Sequence, residues 1–218
     1  MAYSSVEVFW KAKQIQRLLD GISPYTICDV GCGSGEILHQ LSVLLGQDRT
    51  YVGYDISPKL LTHWNIYAGD NVSYRCDDFL STQDNYDLLY MTDVLEHIEN
   101  HMGFLKEIKN RAEYKIFGIP LEISALKVLL DNRFSISYQR YGHINFFSKE
   151  IALTILNGCG YEIIDYILAP SSIEMAGKIP YVSKSSAMLK IPRILLSKIS
   201  VDFTQKLLGG YALYVLAK

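Results

Sequence analysis

At 218 residues, 49% of them apolar and 20% charged, the chain is long enough for one sizeable core and has the balance of a globular protein. Its formal net charge of −2 and pI near 6.2 exclude a global basic field of the kind that collects nucleic acid. No run approaches the roughly 18 unbroken apolar residues of a spanning helix. Met1 to Lys13 lacks the charged-then-apolar plan of a secretory signal, so a cytoplasmic location is expected. Cys28, Cys32, Cys76 and Cys159 have neither paired metal spacing nor a dense disulfide layout; Cys28 and Cys32 read as small buried thiols.

Val8, Ala12, Ile15 and Leu19 recur at helical spacing until Gly21 and Pro24 stop the helix. A β-type run, Thr26 to Val30, breaks into Gly31-Cys-Gly-Ser-Gly35, and a second helix follows with Ile37, Leu41 and Leu44 on one face. Tyr51 to Tyr54 reads as a buried strand closing on Asp55, and Ser57-Pro58 opens another helix. Val72 to Arg75 and Tyr86 to Met91 read as strands three and four. Lys115 to Ile119 reads as strand five, ended by Pro120. Strands alternating with helices predict parallel pairing through crossovers, hence an α/β sheet covered on both faces. Beyond Pro120 the pattern loosens. Ile123, Leu126 and Leu130 suggest a short amphipathic helix, Arg133 to Gly142 a polar and aromatic loop, and Ser148 the N-cap of a helix ending at Gly158. Tyr161 to Leu168 and Tyr211 to Ala217 are the last two strands, joined through a stretch holding Met175, Pro180, Met188 and Pro192. A single domain over residues 1–218 is expected, with elaborations at about 1–24, 121–142 and 171–209.

The strongest signal is Asp29-Val-Gly31-Cys32-Gly33-Ser-Gly35 between a strand and a helix. Glycines there let the chain turn sharply and let a ligand approach the backbone. A dinucleotide site wants G-x-G-x-x-G, and Glu36 occupies its third-glycine position here. The carboxylate two residues before the first glycine opposes a pyrophosphate and suits a cation carrying ammonium and sulfonium groups, which favours S-adenosylmethionine over NAD. Asp55, at the end of the second strand, is placed to accept hydrogen bonds from two ribose hydroxyls. After the third strand, Asp77 or Asp78 can accept from an adenine amine, with Asp78 favoured because Asp-Phe-Leu opens the next loop. Ile56 and Phe79 can cover the ring.

Together these residues resemble the class I S-adenosylmethionine-dependent methyltransferases. The resemblance also draws on Tyr86-Asp87, Thr92-Asp-Val-Leu-Glu-His-Ile98, Gly142-His-Ile-Asn-Phe-Phe-Ser148 and Asn157-Gly-Cys-Gly-Tyr161. It looks like the branch holding ubiquinone-pathway and many sugar methyltransferases. It implies a Rossmann-like, doubly wound sheet of seven strands, mostly parallel, with the last antiparallel beside the fifth. S-adenosylmethionine is the implied donor, with S-adenosylhomocysteine as product. The implied cofactor residues are Asp29, Gly31, Cys32, Gly33, Gly35, Asp55, Ile56, Asp77, Asp78, Phe79, Met91 and Thr92. Phe9-Trp-Lys-Ala-Lys13 looks like the branch's aromatic-basic first helix, whose basic residue meets the methionine carboxylate. Lys13 stands where the branch usually has arginine, and lysine offers no bidentate fork.

Methyl transfer to a hydroxyl needs a proton removed, and histidine is the commonest base near neutrality. His97 and His143 are the candidate catalytic bases; each is equally readable as a hydrogen-bonding residue of the pocket wall. His39 and His63 fall on crossover helices, His101 lies in a polar run, and Glu96 reads as orienting a neighbour. No cluster has convincing metal-ligand spacing, so no metal is expected. Met91-Thr-Asp-Val94 replaces the Pro-Pro-aromatic turn of base- and glutamine-directed enzymes, so the partner is a small molecule, with a saccharide or nucleotide-linked sugar among the readings, and no nucleic acid. Arg133, Tyr138, Arg140 and Tyr141 form either an anion-binding set or an ordinary solvated loop. Met188 to Ile199 reads as a packed lid or a homodimer contact, ahead of membrane contact. The competing function is a cofactor-binding module that has lost catalysis and regulates a partner enzyme.

Overall fold

The computed structural model describes residues 4–176, 178 and 188–218. Its first helix, α1, is Ser5–Leu18, and the Ser4 hydroxyl caps it by accepting from the Glu7 N–H. In chain order β1 (Thr26–Val30), α2 (Glu36–Leu45), β2 (Thr50–Asp55), α3 (Leu61–Tyr67), β3 (Val72–Cys76), β4 (Tyr86–Thr92), α4 (His101–Ile108) and β5 (Ala112–Leu121) follow. The remainder is α5 (Ala125–Leu129), α6 (Arg133–Tyr141), α7 (Lys149–Gly158), β6 (Ile163–Ala169), α8 (Ser171–Glu174), α9 (Lys190–Ser197), α10 (Val201–Leu208) and β7 (Tyr211–Ala217).

The seven strands form one sheet in the order β3-β2-β1-β4-β5-β7-β6. The pairs among β1 to β5 are parallel, and β7 runs antiparallel between β5 and β6. This is the expected Rossmann-like α/β architecture. Side chains alternate across the pleat, so each central strand feeds two cores. Leu88 and Tyr90 pack with Ile27, Ile116 and the α1 and α2 residues Ile15 and Leu38; Leu89 and Met91 pack with Val30, Phe117, Leu105 of α4 and Leu156 of α7. Chain order reverses between β1 and β4. In such sheets that switch point opens a crevice at the carboxyl ends of the strands.

Two sequence expectations are corrected from the end of β5 onward. Pro120 does not end the fifth strand: β5 runs to Leu121, with Pro120 opposite Ala212 of β7. Pairing with β4 stops at Gly118, so the proline sits where the strand has a free side and tolerates a missing donor. The expected loop 133–142 is instead α6, closed at Gly142, whose N–H donates to the Ser137 and Tyr138 carbonyls. Its polar sequence hid a short buried face: Ser137 is buried and Phe134 packs edge-on against Phe146 at 4.9 Å. Within 171–209 the chain forms α8, α9 and α10; the expected lid residues at 177 and 179–187, Pro180 among them, lie outside the described residues, as do residues 1–3. Arg193 of α9 is buried and donates to the Leu208 and Gly209 carbonyls at 2.9 Å each, while Ile191, Leu195 and Ile199 stay exposed. Among the described residues no helix is long and apolar enough to cross a membrane.

Candidate active site

The crevice begins at the turn between β1 and α2. Gly33 has φ +54° and Gly35 φ +86°, the left-handed region that favours glycine. A Cβ on Gly35 would stand 2.5 Å from the Tyr74 ring, whereas one on Gly33 would meet nothing within 4 Å. Gly35 is therefore a packing requirement, and Gly33 borders open space that a ligand can fill. Two aromatic residues the sequence reading passed over clamp this turn. The Trp64 indole donates to the Gly33 carbonyl, and the Tyr74 hydroxyl to the Gly35 carbonyl, both at 2.8 Å, with the two rings stacked at 5.6 Å. Their signal was weak, since one lies in a helix and the other in an edge strand without a motif.

Four of the turn's N–H groups are committed within the protein. Those of Gly31 and Cys32 donate to the Tyr54 carbonyl, that of Gly33 to Asp55 Oδ2 at 2.9 Å, and that of Gly35 to the Cys32 carbonyl. A pyrophosphate cradle needs such donors turned outward. Here a carboxylate occupies one of them. Asp55 Oδ1 accepts from the Ser57 N–H at 2.9 Å, leaving each oxygen a further lone pair.

Asp29 lies behind the turn, 2% exposed, accepting the Tyr90 hydroxyl at 2.8 Å. Burial, with the nearby Asp55 adding to it against the pull of the Tyr90 bond, pushes its carboxyl up to about 8. Cys32 is buried against Gly53, and burial raises its thiol as well. Ile56 is 75% exposed beside Asp55, open to a flat ring. Asp77 and Asp78 are both exposed: Asp77 accepts from the Asp78 N–H and the Ser81 hydroxyl, and Asp78 caps the next turn by accepting from Leu80 N–H. Phe79 is a correction. It turns inward, packing against Tyr54 at 5.2 Å and beneath the Arg111 guanidinium at 4.5 Å, because its aromatic surface is better buried than laid on an exposed loop. Met91 and Thr92 are buried at the end of β4.

The basic residue of α1 that reaches the crevice is Lys11. Its ammonium pairs with Asp93, just past β4, and with Glu7 at 3.3 Å. Lys13, the residue expected there, donates to Gln16 at 2.8 Å and lies over the Phe9 ring at 5.6 Å. Lys11 stands three residues after Val8 and four before Ile15, so helical spacing puts it on the buried face and turns Lys13 off it. That spacing was the available signal. Asp93 has φ +55°, a left-handed backbone held at the crevice floor.

Beyond β4 a second cluster assembles. His97 and His143 meet edge to face at 5.1 Å. His97 Nδ1 lies 3.1 Å from the Gly142 carbonyl and His143 Nδ1 2.8 Å from Glu122 Oε2. Both partners only accept, so both Nδ1 atoms donate and each neutral ring keeps its lone pair at Nε2. Glu122, absent from the sequence reading, also takes the Ser137 hydroxyl at 2.6 Å and the Lys127 ammonium. Burial would raise its carboxyl, but the bonds from His143, Lys127 and Ser137 prevail and hold it at about 2. Glu96 is 1% exposed, and neither of its carboxylate oxygens has a hydrogen-bond partner; burial first and Asp93 second raise its carboxyl well above the usual range. Glu122 also lines a cavity of about 460 Å³, with Lys127, Arg133, Arg140 and Tyr141 on one wall and Leu189 on another.

A sheet that reverses at β1 and β4, with carboxylates rather than free donors at its glycine turn, belongs to the nucleoside-binding α/β enzymes and departs from their diphosphate-binding members. Residues 7–166 match a family model described as a methyltransferase domain, and the chain belongs to that family of enzymes. Its fold is similar to that of the magnesium protoporphyrin IX methyltransferase of Synechocystis, crystallised with S-adenosylhomocysteine bound. The two are 18% identical, with 100% of this chain and 88% of that one covered and a TM-score of 0.61. An S-adenosylmethionine-dependent methyltransferase from Mesorhizobium loti aligns at 16% identity over 98% of this chain and 99% of its own, with a TM-score of 0.62. The N-methyltransferase NodS from Bradyrhizobium japonicum aligns at 15% identity over 95% and 93%, with a TM-score of 0.56. No curated protein matches the chain by sequence.

Proposed function

We propose that this enzyme transfers a methyl group from S-adenosylmethionine to an oxygen or nitrogen of a small, negatively charged acceptor, in the manner of ubiquinone-pathway and sugar methyltransferases. The observation that carries the reading is the glycine turn, open at Gly33 and backed by Asp55 and Asp29 instead of by free N–H groups. That arrangement repels a diphosphate and attracts a cation. Bound S-adenosylmethionine supplies a methyl group on a positively charged sulfur, ready for in-line displacement. Asp55 accepts from the ribose hydroxyls, exposed Ile56 covers the base, and Asp78 or Asp77 accepts from its amine. Lys11, with Lys13 behind it on the same helix, supplies positive charge for the donor's carboxylate. Asp29, protonated near neutrality, gives up its proton when the cation binds and then acts through its field from behind the turn.

On the acceptor side, Arg133, Arg140 and Lys127 attract negative charge, and the leucine wall takes an apolar body. The Nε2 atoms of His97 and His143 are basic sites, the second joined to the cavity wall through Glu122, and either can take a hydroxyl proton. The chain is read as one unit, with the described parts of the segments 1–24, 121–142 and 171–209 as its elaborations. Calorimetry tests the donor half: saturable S-adenosylmethionine binding is expected, weakened at least about tenfold in Asp55→Ala by loss of charged hydrogen bonds. Undiminished affinity in both Asp55→Ala and Gly33→Val, or tight NADH binding instead, defeats the reading. Turnover of any anionic acceptor with radiolabelled donor excludes a silent module.

A further inference from the structure

Glu96, His97 and His143 come from two separate loops, one after β4 and one before α7, and a ligand atom of each lies within 4.8 Å of those of the other two. From this convergence we propose that the enzyme binds one divalent first-row transition-metal ion, of the zinc, cobalt or manganese kind, through Glu96, His97 Nε2 and His143 Nε2.

Two features point to an ion. First, Glu96 is almost wholly buried, yet both carboxylate oxygens lack a hydrogen-bond partner. Buried polar groups in folded proteins are almost always partnered, because leaving one unsatisfied is costly. The nearby cations are engaged elsewhere, Lys11 with Asp93 and Glu7, and Lys127 with Glu122 and Ser137. Second, both imidazoles are oriented from behind. The Glu122 carboxylate holds His143 and the Gly142 carbonyl holds His97, each through Nδ1, so both Nε2 lone pairs are left for an ion. Metal-bound histidines are held in this way by outer carboxylates and carbonyls, which fix the tautomer and raise the basicity of the ring.

Two histidines and one carboxylate favour imidazole-loving ions over magnesium or calcium, which prefer all-oxygen shells. Three protein ligands leave open positions, as catalytic sites do. Glu122, which supports His143, also lines the cavity. A hydroxyl bound at an open position would release its proton to solvent and remain on the ion as the alkoxide or phenolate, the nucleophile that methyl transfer to oxygen needs. In that state the histidines hold the ion, and the ion's charge replaces a side-chain base. The consequence for acceptor chemistry rests on the methyl-transfer reading; the site itself does not.

The test is cobalt(II) titration of full-length protein stripped with a chelator and kept free of methyl donor, followed by visible absorption. One equivalent is expected to give the ligand-field spectrum of a low-coordinate site, and zinc is expected to displace it. Glu96→Gln and His143→Ala should abolish the spectrum. Glu122→Gln, which removes only the outer support, should weaken binding about 10- to 100-fold. His63→Ala, an exposed histidine of α3, should change nothing. Absence of the spectrum in the wild-type protein overturns the proposal, as does unchanged affinity in Glu96→Gln and His143→Ala. Donor calorimetry on the same stripped protein separates the two claims: lost donor binding with intact cobalt uptake indicts the methyl-transfer reading, and the reverse indicts the metal site.

Discussion

The two halves of the crevice are built from different materials. On the donor side, around the turn from Gly31 to Gly35, function is written into the backbone: positive φ angles, committed N–H groups and carbonyls clamped by Trp64 and Tyr74. On the side proposed for the acceptor, beyond Pro120, the lining consists of side chains carried by short helices, and Arg140, Tyr138 and Tyr141 are exposed. The difference teaches where each half is fragile. A backbone site fails when its glycines change and tolerates little else. A side-chain site can exchange its contacts one by one without threatening the fold.

The largest expected effect tests the first part of that contrast. Gly35→Val places a branched side chain at φ +86° and against the Tyr74 ring, so urea unfolding should show a loss of about 3 kcal/mol or more, with donor binding abolished. Gly33→Ala meets no neighbouring atom and should cost only about 1–2 kcal/mol while still weakening the donor, because the added methyl occupies the ligand's space. A Gly35→Val protein as stable as wild type would break the comparison.

Next in size are two carboxylates at opposite ends of the β1–β4 pair. Asp87 accepts from the Tyr25 and Thr26 N–H groups at 2.9 and 2.8 Å, and chiefly the Thr26 backbone bond lowers its carboxyl. A lowered value in the folded state stabilises above the unfolded value, and that stabilisation is lost as pH falls through the folded one. Asp87→Ala should therefore cost about 1–3 kcal/mol at pH 7, with the deficit shrinking in acid below about pH 4. Asp29 has the opposite sign. Raised to about 8, it is most favourable to folding below its unfolded value near 4, and its contribution declines as pH rises through 8. Asp29→Asn should flatten that decline in thermal melts. Donor binding to wild type at pH 7 should also release up to one proton, read as a dependence of calorimetric heat on buffer ionisation, and Asp29→Asn should release fewer.

The smallest effect sharpens the acceptor half. Arg140 is exposed at the cavity wall, so Arg140→Ala should change stability by no more than about 0.5 kcal/mol. It should raise the KM for an anionic acceptor several-fold with kcat little altered, because it removes binding common to ground and transition states. Equal losses in kcat and kcat/KM would place it at the reacting atoms instead.

Much of this was legible in the sequence, for reasons that differ by region. The strands and helices up to β5 repeat a period fixed by burial on one face or two, and the glycine turn announced itself because few residues accept its backbone angles. The end of β2 at Asp55 followed from the same period. Missed features depended on partners distant in the chain. Lys11 was separable from Lys13 only by asking which face of α1 is buried, and α6 was concealed by a polar sequence whose few inward residues find Glu122 and Phe146 across the fold.

By itself, the sequence determined the alternating α/β order and the glycine turn with its carboxylates, since each follows from local periodicity and backbone sterics; the antiparallel last strand came only from the family resemblance. Only the tertiary structure decided that Phe79 faces the core and that Asp29 is deep enough to hold a proton near neutrality. It alone brought Glu96, His97 and His143 together with Glu122 behind them. Burial and convergence are set by how loops pack over the sheet edge, and no spacing along the chain records that distance.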